Sequence, residues 1–546
     1  MKRIILLTVC CIATLNLHAQ RTTNEQPYGL SSGFRAQSQE PVVLPIRDIE
    51  IIMKEDMADG PKEEKGNWPV SFAYAIYVSY TTENMGVWQQ LDDGSKIWRL
   101  KVHAPGALAT YTRYDKFWLP EGGKFFVYSE DTEQSIGAVI SEFIEGSREK
   151  PKVFTTALIY GENVVYEYYQ PASVKEPPVI SISSIDYAYR YVYSPYSVGL
   201  RNFGDADTCQ VNINCSEGNN WQAEKHAVAR MIIPKGDKSY YCSCALVNNT
   251  NNDYTAYVLT ADHCLVRNDT GIRFYDAEGS SSANPSASAD ASPMIFYWEY
   301  EHPGCANSST QPTTTNRTSS GNATVVANNS VSDFALIKIN GAQDPRYLSG
   351  GFIPYYLGWD RSGNPGTGGV GIHHPLGDVK KISTYDMTPW SSGNYWDFNW
   401  KRTANGFSVT EGGSSGSPLI NNNHKVIGQL WGSWNFRCSN PANDEPTYGK
   451  FSVSWTGNGT TNNCRKLQPW LNPNNTVIVL DGVYAPCISN FSNQTVTTNT
   501  TITGCSTFTI QNVTISNNAK LTIISGGEVI LNNNFEVSLG SQLEIY

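Results

Sequence analysis

The cysteines of this chain are confined to its second part, which constrains the possible folds more than any other sequence feature. Of twelve cysteines, Cys10 and Cys11 lie in an apolar N-terminal segment, and residues 21–208 contain none. The other ten stand at positions 209, 215, 242, 244, 264, 305, 438, 464, 487 and 505. An even set in an exported protein predicts disulfides, although spacing alone does not define their connectivity.

The N-terminal residues 1–20 have the pattern of a secretory signal peptide. Lys2 and Arg3 precede an apolar run that ends in Leu17-His18-Ala19, a small-residue cleavage site. The run is shorter than the roughly 20 residues that a transmembrane helix needs, and no other stretch approaches that length. We therefore expect a secreted protein without a transmembrane segment, placed extracellularly, in the periplasm or on the cell surface.

Composition predicts an all-β protein of several domains. The 546 residues exceed the size of one core, and 31 Tyr and 14 Trp accompany only 16% charged residues. The net charge of −10 gives no support for a nucleic-acid partner.

Three regions follow the predicted signal peptide. Residues 21–203 alternate apolar and polar side chains, as at Trp98 and Leu100, and are expected to form a β-sandwich followed by a connector. Residues 204–486 combine short strands with long polar loops. Residues 487–546 alternate Asn and Thr with aliphatic residues, which predicts a small β-rich solenoid or sandwich. This last module either attaches the protein to the cell surface or serves as a stabilising cap.

Three segments of the middle region carry the residue types of a hydrolytic triad. LTADHC at 259–264 supplies His263, SDFALIKI at 332–339 supplies Asp333, and EGGSSGSP at 411–418 supplies Ser415. A serine hydroxyl becomes an effective nucleophile when an imidazole removes its proton, and a carboxylate orients that imidazole. The sequence predicts these three as the catalytic residues.

The glycines around Ser415 predict an oxyanion hole. They allow backbone angles at which the N–H groups of Gly413 and Ser415 point to one place. Ser414 and Ser417 are rival nucleophiles, and the Gly-x-Ser-Gly spacing favours Ser415. An apolar strand follows at 426–430, which argues against a flexible linker here.

Neither of two apparent metal motifs supports a metal site. The Cys-x-Cys at 242–244 has no matching second pair, and the adjacent His373 and His374 would point to opposite faces of a strand. We expect no metal and no cofactor.

Residues 204–486 resemble the bacterial lysyl endopeptidases, a branch of the chymotrypsin-like serine peptidases. The order His, Asp, Ser is that of the chymotrypsin type. Further resemblance lies in CQVNINC at 209–215, FYWEY at 296–300, GIHHPLGDVKKIS at 371–383, VTEGGSSGSPL at 409–419 and YGKFSVSWTG at 448–457. The resemblance implies a double β-barrel with the active site between the barrels. It also implies an N-terminal propeptide and a mature enzyme that begins near Gly204.

The resemblance also implies a disulfide pattern. The pairs carried over from the family are Cys209–Cys438, Cys215–Cys305 and Cys242–Cys264. Parity then leaves Cys244 with Cys464 and Cys487 with Cys505 as two further bonds.

The predicted substrate pocket departs from the family pattern. The family's lysine-selecting aspartate corresponds to Pro446 here. Either Asp444 or Glu445 turns into the pocket, or the pocket no longer selects lysine; the acidic pair is otherwise a solvated loop. Trp431 and Gly432 are predicted to line the pocket, with a plain cleft wall as the alternative for Trp431.

Two functions remain open at this stage. The first is a secreted serine endopeptidase that cleaves protein or peptide substrates, with Lys or Arg as the preferred residue before the cut. The alternative is a non-cleaving cell-surface binding protein built on a peptidase-like domain. The four residues directly before Gly204, at 200–203, include Arg201 but no lysine, so Arg201 or another protease is expected to direct activation.

Overall fold

The computed structural model describes most of the chain after residue 24. The described ranges are 25–31, 34–35, 37–59, 70–131, 134–144, 146–190, 206–265, 276–277, 294–306, 318–320, 323–339, 343–348, 352–433, 438, 441–525 and 528–545. The predicted signal peptide, Arg201 and Gly204 lie outside these ranges.

The described residues of the N-terminal region form two β-sheets and one α-helix. Its elements are β1 (Val42–Val43), α1 (Ile49–Asp59), β2 (Val70–Thr81), β3 (Val87–Gln90), β4 (Lys96–His103), β5 (Ala109–Trp118), β6 (Lys124–Tyr128), β7 (Ser135–Val139), β8 (Lys152–Thr155), β9 (Ile159–Tyr160), β10 (Asn163–Gln170) and β11 (Val179–Ala188). One sheet has the order β1-β4-β10-β6-β7, with β3 also paired to β4. The other runs β2-β11-β5-β8, with β9 also paired to β5.

The two sheets bury their apolar residues against each other. Trp98 and Leu100 of β4 face the same core as Tyr74 of β2 and Ile182 of β11. The alternation along β4 sends every second side chain into this core, as the period of a strand requires. Arg99, which lies between them, points to the opposite face of the strand. It is buried there as well, and its guanidinium donates to Gln37 O of the N-terminal segment.

The first half of the middle region continues the second of these sheets. Its strands are β12 (Val228–Lys235), β13 (Lys238–Leu246), β14 (Tyr257–Thr260), β15 (Ile295–Tyr297), β16 (Thr318–Ser320), β17 (Ala323–Asn329) and β18 (Phe334–Ile339). β13 pairs with β12, with β14 and with β2 of the N-terminal region. The result is one sheet of twelve strands that extends across both regions.

The second half of the middle region forms a separate nine-stranded sheet. The strands of this half and of the segment after it are β19 (Tyr355–Tyr356), β20 (Gly358–Asp360), β21 (Gly369–His373), β22 (Lys381–Tyr385), β23 (Trp390–Ser392), β24 (Tyr395–Asp397), β25 (Pro418–Asn421), β26 (Lys425–Ser433), β27 (Pro446–Lys450), β28 (Val479–Leu480) and β29 (Val483–Tyr484). The order is β22-β21-β25-β26-β27-β24-β23, and β20 joins β26 to β28. Two short helices follow β27, α2 (Phe451–Thr456) and α3 (Gln468–Leu471).

The C-terminal module is a parallel ladder of strands, so the solenoid alternative is the one that the structure adopts. Its strands are β30 (Ile488–Val496), β31 (Thr500–Ile515), β32 (Lys520–Ser525), β33 (Glu528–Leu531), β34 (Phe535–Val537) and β35 (Gln542–Ile545). Side-chain hydrogen bonds hold successive coils in register. The amide of Asn512 donates to Asn493 Oδ1 at 3.0 Å, and the amide of Asn534 donates to Asn512 Oδ1 at 2.8 Å.

Helices are few and short, and the predicted all-β class is confirmed. The 3₁₀ segments are Tyr28–Leu30, Ser141–Phe143, Ser216–Trp221, Glu224–Ala227, Asp262–Leu265, Pro345–Tyr347, Pro375–Gly377, Pro441–Asn443 and Asn463–Arg465. In the described part of the chain, no helix has the length and hydrophobicity to cross a bilayer.

Three disulfides match the pairs that the resemblance implied, and one of the two parity arguments is wrong. Cys209–Cys438, Cys215–Cys305 and Cys242–Cys264 are bonded. Cys244 is a free thiol inside the core of the first half, so the bond from it to Cys464 is not formed. Cys487 is disulfide-bonded, while the side chain of Cys505 lies outside the described part.

Candidate active site

His263 and Asp333 are hydrogen-bonded to each other at the ends of two paired strands. β14 ends just before the 3₁₀ turn that carries His263, and Asp333 immediately precedes β18. Asp333 Oδ2 lies 2.7 Å from His263 Nδ1, and Oδ1 accepts the His263 backbone N–H at 2.9 Å. Asp333 therefore fixes both the position of the residue and the orientation of its ring.

The backbone and burial of Asp333 are both unusual. Its φ of 56° lies in the left-handed region, which aspartate tolerates better than most residues. Burial raises the pKa of its carboxyl, and the bonds from His263 oppose that rise. Within the described part of the chain, His263 Nε2 is buried without a hydrogen-bond partner. That nitrogen is available to accept a proton.

Ser415 reaches this place from the second half of the domain. Its carbonyl accepts the N–H of Ser243 at 2.8 Å and lies 3.9 Å from Cys264 Sγ, next to His263 in the chain. The Cys242–Cys264 disulfide ties the histidine turn to β13, the strand that bears Ser243. No hydrogen bond between the Ser415 hydroxyl and His263 is present among the described residues.

Of the two neighbouring serines, Ser414 is hydrogen-bonded to other residues and Ser417 is buried. Ser414 Oγ lies 2.8 Å from His373 Nδ1 and accepts the N–H of Glu411 at 3.2 Å. Ser417 is fully buried. This arrangement leaves Ser415 as the serine of the loop whose backbone lies next to the histidine turn.

The backbone conformation at Gly413 is compatible with an oxyanion hole, in which two N–H groups point to one place. Gly413 has φ of 87°, and a Cβ at this position would lie 3.1 Å from Gly377 N. Its carbonyl is held by Ser243 Oγ at 3.0 Å. In the described part of the chain, the N–H groups of Gly413 and Ser415 donate to no protein acceptor. Both are free to bind a developing oxyanion.

Asp444 and Glu445, the acidic pair that follows β26 in the chain, differ in burial. Asp444 is fully buried, and Ser433 Oγ donates to its Oδ1. Its Oδ2 has no partner among the described residues, and burial raises its pKa to about 8. Glu445 is exposed, and Pro446 is buried in β27 opposite Ser433.

Trp431 and Gly432 are the last residues of β26 before Ser433. Gly432 is buried, and the half-buried Trp431 ring meets Tyr395 edge to face, with centroids 6.3 Å apart. Tyr395 was not among the residues predicted from the sequence. Burial raises the pKa of its hydroxyl, and the negative charge of Asp333 adds to that rise.

The family model and the curated relative that match this chain both point to the lysyl endopeptidases. Residues 203–449 match the family model described as the C-terminal domain of lysyl endopeptidase. A lysyl endopeptidase from Pseudomonas aeruginosa is 24% identical over 311 residues, which cover 54% of this chain and 60% of the relative. Residues 203–449 belong to the lysyl endopeptidase family.

Solved structures similar to this chain include two serine proteases. A serine endoprotease from Yersinia pestis is 14% identical, with a TM-score of 0.25 over 43% of this chain and 62% of the other. The thermostable serine protease AL20, from an extremophilic microorganism, is 13% identical, with a TM-score of 0.26 over 42% and 92%.

A hydrogen-bonded chain under the Ser415 loop of this lysyl endopeptidase family domain was not predicted. His373 Nε2 lies 2.9 Å from Ser383 Oγ, which donates to Ser408 Oγ at 3.0 Å. Ser408 then donates to Gln210, whose amide donates to Glu411 Oε2 at 2.9 Å. Gln210 is separated from Ser408 by 198 positions and from Glu411 by 201, so no local pattern predicts these contacts.

The two histidines at 373–374 are buried and contact different groups. His373 is bound to Ser414 and Ser383, and burial, helped by Lys381, lowers its pKa to about 3. His374 Nδ1 lies 2.9 Å from Asp378 O. Cys242 of the Cys-x-Cys motif is in a disulfide.

Proposed function

We propose that this protein is a secreted serine endopeptidase that works through an acyl-enzyme. Ser415 attacks the carbonyl carbon while its proton passes to His263 Nε2. The C–N bond then breaks as His263 returns that proton to the leaving amine, and water hydrolyses the ester by the same route. Asp333 orients and stabilises the imidazolium, and the N–H groups of Gly413 and Ser415 bind the oxyanion.

The observation that carries this proposal is the buried His263–Asp333 pair, whose Nε2 has no partner beside the Ser415 loop. An imidazole held by a carboxylate on one nitrogen and open on the other is suited to act as a base. The exported location follows the sequence expectation of a signal peptide. The domain scheme of signal peptide 1–20, propeptide and connector 21–203, peptidase 204–486 and module 487–546 is part of the proposal.

Labelling with a fluorophosphonate tests the proposed chemistry. The wild-type protein should form an adduct on the peptide that contains Ser415, and Ser415→Ala should abolish it. Full-length protein and protein cut between residues 190 and 206 should both be tested. Absence of an adduct in both forms would overturn the proposal and favour a non-cleaving cell-surface binding protein.

We further propose that Asp444 selects Lys or Arg as the residue before the cut. Its buried carboxyl group accepts from Ser433, the residue that follows Trp431 and Gly432 in β26, and a substrate cation beside it would favour its ionised form. A buried ammonium or guanidinium requires such a charge partner. Asp444 therefore replaces in function the aspartate that the family has at the position of Pro446, while the exposed Glu445 does not.

A peptide-library cleavage profile tests this preference. We expect wild-type cuts after Lys or Arg, and Asp444→Asn should lower kcat/KM on basic substrates by about 100-fold or more, since one partner of a buried charge pair is lost. Glu445→Gln is the matched control and should change kcat/KM less than about threefold. Wild-type cuts without basic preference would refute the assignment of Asp444.

A further inference from the structure

The N-terminal region is joined to the lysyl endopeptidase family domain by a continuous sheet. β2 pairs with β13, with Lys238 opposite Tyr74 and Ser239 opposite Ala73. Strand addition of this kind satisfies the backbone groups of both edges and gives a specific register. β2 therefore covers an edge of β13 that would otherwise be open.

Apolar residues from both regions share one core beside this strand pair. From the N-terminal region it includes Phe72, Ala73, Ala109, Tyr111, Leu158 and Tyr160, and from the other domain Ile232, Tyr241, Ile295, Tyr297, Tyr300 and Val379. The rings of Phe72 and Tyr241 are stacked with centroids 4.0 Å apart. Domains with a large apolar interface do not move freely against each other.

Polar contacts across the boundary are also buried. Asp186 Oδ2 accepts Ser239 Oγ at 2.7 Å and is paired with Arg113 at 2.7 Å. Asp56 Oδ1 lies 2.9 Å from Lys238 Nζ, with both side chains nearly inaccessible to solvent. Separating the regions would remove the buried Lys238 ammonium from Asp56, whereas Asp56 and Asp186 keep Arg190 and Arg113 within the N-terminal region.

The same strand supports the proposed nucleophile. Two residues after Tyr241, Ser243 binds Ser415 O with its N–H and Gly413 O with its hydroxyl. Between them, Cys242 is bonded to Cys264 beside His263. In the described part of the chain, no hydrogen bond links the N-terminal region directly to His263, Asp333 or Ser415. Among the described residues, the N-terminal region is therefore connected to the site through β13 and not by hydrogen bonds to these three residues.

We propose that the N-terminal domain, residues 42–190, is a non-covalent subunit of the protein. After the chain is cut between residues 190 and 206, the domain stays bound through β2 and the shared core. It positions β13, and through β13 the Ser415 loop. The activity part of this inference rests on the proposed function, whereas the binding part is independent of it.

Binding is tested on full-length Ser415→Ala protein with a specific protease site inserted between residues 190 and 206. After cutting, the two fragments should co-elute from a sizing column at about 1 µM and on dilution to about 10 nM, as expected for a large specific interface. Separation at the higher concentration would overturn the proposal. Lys238→Met should weaken association at least tenfold, whereas Lys101→Met, which breaks the Lys101–Glu130 pair inside the N-terminal domain, should not.

Positioning is tested on the active protein with Phe72→Leu. This variant should lower kcat and the rate of fluorophosphonate labelling several-fold with little change in KM, because it loosens the packing behind Tyr241. Phe125→Leu, in the core of the N-terminal domain away from β13, is the matched control. Equal effects of both variants on labelling would refute a positioning role. Absence of labelling in wild type would instead contradict the proposed function and leave the binding result standing.

Discussion

Asp333 is the residue whose replacement tests the charge arrangement at the site most directly. Asparagine has the same shape but cannot accept from both His263 N and His263 Nδ1 through two carboxylate oxygens. The imidazole is then held in the wrong tautomer, so Asp333→Asn should lower kcat about 10⁴-fold with a small change in KM.

Steady-state kinetics provide the measurement, and Asp262→Asn is the control. Asp262 is buried next to the site, where its Oδ1 accepts from Asn328 at 2.8 Å. We expect this variant to keep kcat within about tenfold of wild type. A loss as large as that of Asp333→Asn would show that general disruption, and not the tautomer of His263, lowers the rate.

Two buried carboxyl groups predict how stability depends on pH. Burial raises the pKa of Glu411 to about 7 and that of Asp444 to about 8, against about 4 in an unfolded chain. Between these values each of the two groups binds a proton more tightly in the folded protein than in the unfolded chain. Each therefore contributes a decrease in the free energy of unfolding as pH rises from about 4 to about 8, while the lowered pKa of His373 contributes in the opposite sense.

Urea unfolding of the Ser415→Ala protein at several pH values measures this slope. Asp444→Asn should make the slope shallower, because it removes one of the two carboxyl groups that bind a proton more tightly in the folded protein than in the unfolded chain. Asp386→Asn, at an exposed residue paired with Lys401, should leave the slope unchanged. A stability difference between wild type and Asp444→Asn that does not decrease as pH rises through this window would contradict the raised pKa of Asp444.

Single residues could be predicted from the sequence where the proposed chemistry requires one type of side chain. The predicted His263 and Asp333 lie 2.7 Å apart although 70 positions separate them. The choice between Asp444 and Glu445 was open, because neighbouring residues of a loop carry no period that says which one turns inward. Burial of Asp444 depends on Ser433 and on the packing of Pro446 in β27.

At the scale of elements, the Cys242–Cys264 disulfide links β13 to the turn that carries His263. It closes a loop of 22 residues, which in the chain-entropy model contributes about 3 kcal/mol. The double variant Cys242→Ala, Cys264→Ala should lose about that much stability and also lose kcat, because the histidine turn is less constrained.

Thermal unfolding and steady-state kinetics measure both effects. Cys244→Ala is the control on the same strand, since Cys244 is buried but not in a disulfide. It should cost about 1 kcal/mol through the small cavity and leave kcat unchanged. Unchanged kcat in the double variant would show that the disulfide stabilises the fold without positioning His263.

Strands were predictable from alternation, but their long-range partners were not. The buried Trp98 and Leu100 follow the period of two that the sequence shows. The pairing of β2 with β13 joins residues more than 160 positions apart, and nothing in either strand specifies the other. Local patterns define which face of a strand is apolar, whereas the edge it pairs with depends on the whole fold.

At the scale of the whole molecule, the C-terminal module is structurally separate from the candidate active site. Its core consists of its own residues, among them Phe508, Ile510, Val513, Ile515 and Leu521. Lys520 approaches Glu142 of the N-terminal domain at 3.8 Å, a partly exposed pair that contributes little. The residues proposed for catalysis and for the pocket all lie before residue 450.

A chain that ends after Pro486 should therefore keep kcat/KM within about twofold of the full-length value, measured on the same peptide substrate. A chain that ends after Gly457 should be unstable, because it also loses β28 and β29, and β28 pairs with Trp359 of β20. Trp359 packs against Trp455 in the core of the peptidase-like domain, with ring centroids 4.7 Å apart. Loss of β28 would therefore disturb that core. If the first truncation abolished activity while the protein remained folded, the module would have to act on the site or on the substrate, and its role as a separate unit would be refuted.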